Sequence, residues 1–202
     1  MLVKSKDSAV YAIILAAGSA TRFGSSKQLA EWNGEKLVRR AAAVATQTCG
    51  AQTLLVVGHD WQAVHSACQP LCGCFVINDQ HAAGIGSSLA LAVRSIRQVA
   101  DAVVVLLADQ PLVTAEHLAA LIERWSGDAR EIVATAYADT SGVPALFASG
   151  TFDKLSALCG DQGARKLLLD PEFVVQQVEF EAAAIDIDTV ADLASLSHNA
   201  HS

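Results

Sequence analysis

Val10-Tyr11-Ala12-Ile13-Ile14-Leu15-Ala16-Ala17-Gly18-Ser19-Ala20-Thr21-Arg22-Phe23-Gly24-Ser25-Ser26-Lys27 is the stretch on which the fold turns. Residues 10–15 form a short apolar run that reads as a strand buried on both faces. The run ends in Leu15-Ala16-Ala17-Gly18 and passes into a loop of small residues carrying Arg22 and Lys27. Small residues let backbone N–H groups approach an anion closely, and two cations close together add charge. Those are the parts of a triphosphate cradle. The spacing matches neither Gly-x-x-x-x-Gly-Lys-Ser/Thr nor Gly-x-Gly-x-x-Gly. The same composition also suits an ordinary Gly/Ser-rich surface loop with two solvated cations, and spacing leaves both readings open.

Working outward, residues 53–57, 74–77 and 102–107 repeat the buried-strand pattern, with weaker strand candidates at 131–136, 143–147, 174–178 and 184–187. Helical patterns fall between them at 35–48, 61–67, 87–99 and 114–125, and shorter ones at 151–158, 163–169 and 189–196. This alternation predicts a mostly parallel sheet with right-handed crossovers and helices on both faces, a three-layer α/β/α Rossmann-like architecture. No linker or repeat divides the 202 residues, so one domain over residues 1–202 is expected, with an ordered core over 10–196. In such sheets ligands bind beyond the carboxyl ends of the strands.

A formal charge of −7 argues against nucleic-acid or anionic-membrane partners, which need a basic face. An anionic substrate must then be met by a local cationic site. The charged residues 1–7 lack the apolar core of a signal peptide. No apolar run approaches the roughly 18 residues of a membrane span. Five cysteines do not suggest a disulfide framework. A cytoplasmic location is expected. His59, His65, Cys68, Cys72 and Cys74 crowd together but lack the paired spacings of structural zinc sites, so buried free cysteines are the expectation. Trp32, Trp61 and Trp125 read as core or rim packing.

Three further segments carry chemistry. The run 102–107 delivers Ala108-Asp109-Gln110-Pro111, which places Asp109 beside the loop, where it would either hold Mg²⁺ or serve as a turn aspartate before proline. Ile185-Asp186-Ile187-Asp188-Thr189 alternates, so in a strand both acids share one face. They would need a cation between them; alternatively Asp188 or Thr189 caps the following helix with help from Asp192. His81-Ala82-Ala83-Gly84-Ile85-Gly86-Ser87-Ser88-Leu89 is a Gly/Ser turn that opens a helix and offers N–H groups and hydroxyls.

Leu15-Ala16-Ala17-Gly18 followed by Arg22-Phe23-Gly24 and Lys27 resembles the signature loop of the molybdenum cofactor cytidylyltransferases, MobA-like NTP transferases of GT-A-like fold. Asp109-Gln110-Pro111 and the turn at 84–89 are similar to that family's metal-binding and base-contacting segments. Gly142-Val143-Pro144-Ala145-Leu146-Phe147 and Gly160-Asp161-Gln162-Gly163-Ala164-Arg165 are similar to its acceptor half, with Val143 where the family carries histidine. Ala20 also departs, since many relatives carry serine there.

The resemblance implies Mg²⁺ held by Asp109 and Asp188, Asp186 being the other candidate for the second carboxylate. It implies phosphate charge met by Arg22 and Lys27, and nucleotide contacts from Leu15, Ala16, Ala17, Gly18, Gly84, Gly86 and Ser88. Pro144 and Arg165 would lie at the acceptor. The implied reaction transfers CMP from CTP to the terminal phosphate of molybdopterin, with a molybdoenzyme as a further partner. Ala17, where guanylyl-transferring relatives tend to carry glycine, leans toward CTP. A different phosphorylated acceptor (a sugar or alcohol phosphate), or an accessory chaperone that binds the cofactor without turnover, are the alternatives.

Overall fold

The computed structural model describes residues 8–18 and 26–199. β1 (Val10–Ala16) is followed by a short ribbon of β2 (Glu31–Trp32) and β3 (Glu35–Lys36), then α1 (Leu37–Cys49), β4 (Thr53–Val57), α2 (Trp61–Cys68) and β5 (Cys74–Ile77). The chain continues through α3 (Ile85–Ile96), β6 (Ala102–Leu107), α4 (Ala115–Arg124), β7 (Glu131–Tyr137), β8 (Thr140–Ala148), α5 (Phe152–Ser156), β9 (Val174–Glu179) and α6 (Val190–Asn199). Seven strands form one sheet in the order β5-β4-β1-β6-β8-β7-β9. Every pairing is parallel except those of β8, which runs against β6 and β7.

Two apolar layers sandwich the sheet, and strand alternation sorts residues between them. Ala12, Ile14 and Ala16 of β1 face Val38, Ala42, Val64, Leu118 and Leu121 from α1, α2 and α4. Ile13 and Leu15 point the other way, onto Leu89 and Val93 of α3 and Phe152 and Leu155 of α5. The central strands β1, β4 and β6 are buried on both faces, which is why their sequences run apolar without alternation. Among the described residues no helix is long and apolar enough to cross a membrane.

Chain direction across the sheet reverses beside β1. From β1 the chain steps to β4 and β5 on one side, then returns to β6 on the other. β1 and β6 therefore flank a topological switch point, and the crevice beyond their carboxyl ends is the place such sheets offer a ligand.

Some expectations are corrected. Residues 74–77 form a strand but not a fully buried one: Cys74 and Ile77 are exposed because β5 has no neighbour on its outer side. Residues 184–187 are not a strand. β9 has taken the sheet position beside β7, so this later segment finds no ladder to join. Instead Glu181–Ala184 makes a 3₁₀ turn, and beyond it Ile187 is wholly buried while Ile185 is 40% exposed. The two isoleucines thus do not share a face. Helix α1 begins only at Leu37, because Glu35 and Lys36 are used in the ribbon. α4 starts where its cap dictates, with the Thr114 side chain accepting from the His117 N–H at 3.2 Å. The β7–β8 hairpin turns through Ala138 and Asp139, both with positive φ (45° and 56°), matching the twist of the strands it joins.

Candidate active site

Leu15 of β1 lies opposite Leu107 of β6, so residues 17–18 and 108–110 leave the sheet side by side at the switch point. Residues 19–25, including Ala20 and the expected phosphate ligand Arg22, lie outside the described residues. The loop's described ends are clamped by Gln28, which is buried. Its Nε2 donates to the Gly18 carbonyl at 2.5 Å and its Oε1 accepts from the Ser26 hydroxyl at 3.1 Å. Gln28 drew no attention in the sequence, because a glutamine that closes a loop carries no signal until the loop's ends are known to meet.

Directly beside this clamp three charged side chains converge. Lys27 Nζ lies 2.7 Å from Asp109 Oδ2 and 2.8 Å from Asp188 Oδ1. Burial alone would lower the lysine's pKa, but the two carboxylates outweigh it and hold it above its ordinary value. Asp186 is nearby: burial and then the charges of Asp188 and Asp109 push its carboxyl up. Three acids distant in sequence from Lys27 therefore crowd one position, which the ammonium group balances.

The C-terminal segment reaches this point without a sheet ladder. Ile187 N–H donates to the Asp109 carbonyl at 2.9 Å, and the Ile187 side chain packs into a small cluster with Trp32, Leu37 and Leu196. Thr189, not Asp188, caps α6. Its N–H and hydroxyl donate to Asp192 Oδ2 at 2.7 and 2.8 Å, and Asp192 N–H returns a bond to Thr189 Oγ1 at 3.2 Å. With the cap supplied by Thr189, the Asp188 carboxylate is left to face Lys27.

Two carboxylates converging on one cation-sized position suit a hard divalent ion such as Mg²⁺, which takes one or two carboxylates and completes its shell with substrate oxygens and water. Asp109 Oδ1 supports this fit, since it is buried and has no hydrogen-bond partner among the described residues. No cluster of three or more His, Cys, Asp or Glu able to hold a metal occurs among the described residues. The rest of the shell would have to come from a ligand.

A cavity of ≈ 420 Å³ opens here, lined by Leu15, Ala17, Gly18, Lys27, Gly84, Ser88, Asp109 and Asp188 among others. Ala16 is not on it, because its side chain faces the opposite apolar layer. Gly84 and Gly86 act chiefly by close approach. A Cβ on either would run into the backbone of residues 159–162, and Gly84 adopts φ 106°, ψ 172°, a conformation open almost only to glycine. The Gly86 N–H is already given to the Gly160 carbonyl at 3.0 Å. Ser88 is buried and its hydroxyl accepts from Asn78 Nδ2 at 2.9 Å.

Pro144 is buried inside β8 and does not line the cavity. Arg165 is exposed, away from the cavity wall, and bonds the Thr140 hydroxyl. Two lining residues, His81 and Asp161, lie in segments quoted from the sequence but were not expected at the site. Asp161 belongs to the turn that packs on Gly84, and His81 carries a buried Nδ1 with no partner among the described residues. Only spatial neighbours mark either one.

Comparison with known proteins agrees with this fold. "Bifunctional protein GlmU" of Synechococcus sp. (strain CC9605) is 32% identical over 139 residues, covering 67% of this chain but only 31% of that longer protein. "Purine catabolism protein PucB" of Bacillus subtilis (strain 168) is 27% identical over 189 residues, covering 88% of this chain and 90% of that one. Rv0371c of Mycobacterium tuberculosis H37Rv superposes with a TM-score of 0.79 at 28% identity, over 95% of this chain and 98% of that one. A structure of that protein in complex with manganese superposes at 0.77 and 29% identity, over 94% of this chain and 98% of that one. The family model described as "MobA-like NTP transferase domain" matches residues 12–177, most of the chain, and the protein accordingly belongs to the MobA-like nucleotidyltransferase family.

Proposed function

We propose that this chain is a single-domain cytoplasmic enzyme that transfers CMP from CTP to the terminal phosphate of molybdopterin, with release of pyrophosphate. The observation that carries the reading is the convergence of Lys27, Asp109 and Asp188 at the switch point, beside the turn at residues 15–18. The family supplies the reaction type, and the manganese complex of Rv0371c supports dependence on a divalent ion.

An acceptor phosphate is already ionised at neutral pH, so no general base is needed. Its oxygen attacks the α-phosphorus of the nucleotide, the bond to the bridging β-phosphate oxygen breaks, and that electron pair leaves with pyrophosphate. What remains for the protein is alignment and charge stabilisation. Asp109 and Asp188 would hold Mg²⁺, which when bound offsets charge on the phosphate oxygens. Lys27, released from its carboxylates, would follow the departing pyrophosphate, with Arg22 as the second cation of the loop. Ala17 and Gly18 would keep the backbone close to the nucleotide, with Ala16 acting only through the main chain that leads to them. Gly84 and Ser88 would line the same cavity, and Gly86 would hold the turn behind them by close packing. Arg165 would meet an anionic group of the acceptor, and Pro144 would act through the backbone it fixes. A molybdoenzyme would receive the product.

A second reading keeps the transfer and changes the acceptor to a sugar or alcohol phosphate. It is favoured by Val143, which stands where the resembled stretch has histidine. Pyrophosphate release is to be measured with ATP, CTP, GTP and UTP against molybdopterin, a sugar phosphate and an alcohol phosphate. CTP with molybdopterin is expected to turn over fastest. GTP equal to or faster than CTP would sink the cytidylyl assignment, and a faster sugar phosphate would establish the second acceptor. Molybdopterin binding without pyrophosphate release from any nucleotide would make the protein an accessory chaperone.

A further inference from the structure

We infer that Gln110 is a positioning residue: its buried amide ties the segment bearing Asp186 and Asp188 to the loop bearing Asp109, and so sets the separation of the two carboxylates proposed to share a divalent cation. The inference rests on the metal-site reading above and extends it to a side chain that does not itself line the cavity.

Gln110 is only 7% exposed. Its Nε2 donates to the Ala183 carbonyl at 3.0 Å and to the Val143 carbonyl at 3.1 Å. Both acceptors are carbonyls, so the amide has one workable orientation, with its nitrogen toward them. One bond reaches the 3₁₀ turn that launches residues 185–188, and the other reaches β8 just before Pro144. Meanwhile the neighbouring main chain, the Asp109 carbonyl, accepts the Ile187 N–H at 2.9 Å. Two consecutive residues thus grip a segment that no strand ladder holds, at its start and at its middle.

The other end of the amide argues that these donors are what keep the residue there. Gln110 Oε1 is buried and has no partner among the described residues. An unsatisfied buried acceptor carries its full desolvation penalty, so a glutamine is a poor choice here for stability alone. Its two N–H groups are what an apolar replacement could not supply.

The test uses Gln110→Met, which keeps the shape and removes both donors, and Gln110→Glu, which turns oxygen toward two carbonyls. Mn²⁺ binding in the presence of CTP, followed by the electron paramagnetic resonance of free Mn²⁺, is compared with CTP binding in the absence of divalent metal. On the scale of outer-shell partners of metal ligands, Mn²⁺ affinity is expected to fall by roughly 10-fold or more, with metal-free CTP affinity changing by less than about 2-fold. Hydrogen exchange at the Ile187 amide should accelerate while amides of β1 and β6 stay protected. Mn²⁺ affinity equal to wild type in both variants, or equal loss of protection at Ile187 and in β1 and β6, would overturn the positioning role. Wild-type protein that binds no Mn²⁺ with CTP present would instead overturn the metal-site reading, and the Ile187 exchange rate would still decide whether Gln110 holds the segment.

Discussion

Replacing Lys27 with methionine removes the ammonium group but keeps most of the side-chain volume, and the contacts of that ammonium set the sign of the effect. Asp109 and Asp188 each lie within 2.8 Å of it, so its loss leaves like charges facing one another, with Asp186 adding to the crowding. Two carboxylates brought together without a cation would repel, and deleting one of them would relieve that repulsion. The ammonium between them reverses this, because each acid already has a partner.

The Asp188 contribution is small, since its side chain is 57% exposed and such pairs give at most about 1 kcal/mol. Asp109 and Lys27 are only 21% and 14% exposed, so stranding Asp109 costs more, short of the roughly 3–5 kcal/mol seen when fully buried pairs are broken. A total of about 2 kcal/mol is expected, which for a chain of this size lowers the melting temperature by roughly 4–8 °C. Millimolar Mn²⁺ should then raise the melting temperature of Lys27→Met more than that of wild type, because the ion no longer competes with an ammonium group. Turnover should fall even with metal saturating, since the charge that follows pyrophosphate is gone. The measurement is thermal melting of both proteins with and without Mn²⁺, alongside pyrophosphate release. A Lys27→Met protein that melts at or above wild type without metal, and gains no more from Mn²⁺, would refute the reasoning.

Other substitutions test other parts. Burial pushes His117 down to about 4, while in the unfolded chain it titrates near 6.5. The unfolded state therefore takes up a proton first as pH falls, and stability should drop between pH 6.5 and 4 by at most about 3 kcal/mol. His117→Gln should flatten that slope in urea melts, and parallel slopes would remove His117 as the cause. Gly84→Ala forces a side chain into the Gly160 backbone at a glycine-only conformation; a loss of roughly 2–4 kcal/mol and weaker CTP binding are expected, and a wild-type melt would contradict the packing. Ala138→Gly relieves a left-handed alanine in the β7–β8 turn and should raise stability by about 0.5 kcal/mol in denaturant titrations, the relief slightly exceeding glycine's entropy cost. A decrease would mean that this turn is not strained.

Much of the architecture was legible because local pattern and tertiary position coincide in it. The runs at 53–57 and 102–107 are apolar but for Thr53, and only a strand covered on both faces suits such a run, so their limits emerged to the residue. Residues 74–77 have the same local chemistry but sit at an edge, and nothing in four residues tells a strand how many neighbours it will have. Residues 185–188 mislead more deeply. Their alternation is a strand's alternation, yet β9 holds the place beside β7, and Asp188 reaches Lys27 from an irregular segment in which Asp186 and Asp188 share no strand face.

The sequence by itself determined the fold class, the apolar layers and the loops in which chemistry would be found, because backbone periodicity and the burial of apolar side chains are properties of contiguous residues. It also named Lys27, Asp109 and Asp188 one at a time. Only the tertiary structure decided that these three converge, that Thr189 caps α6, and that Gln28 and Gln110 act as clamps. It also decided that Gly84 and Gly86 press against residues 159–162 while Pro144 and Arg165 stand off the cavity wall. The physical reason is distance along the chain. Lys27 and Asp188 are separated by 161 residues, and a hydrogen bond or ion pair between them depends on the path of everything in between.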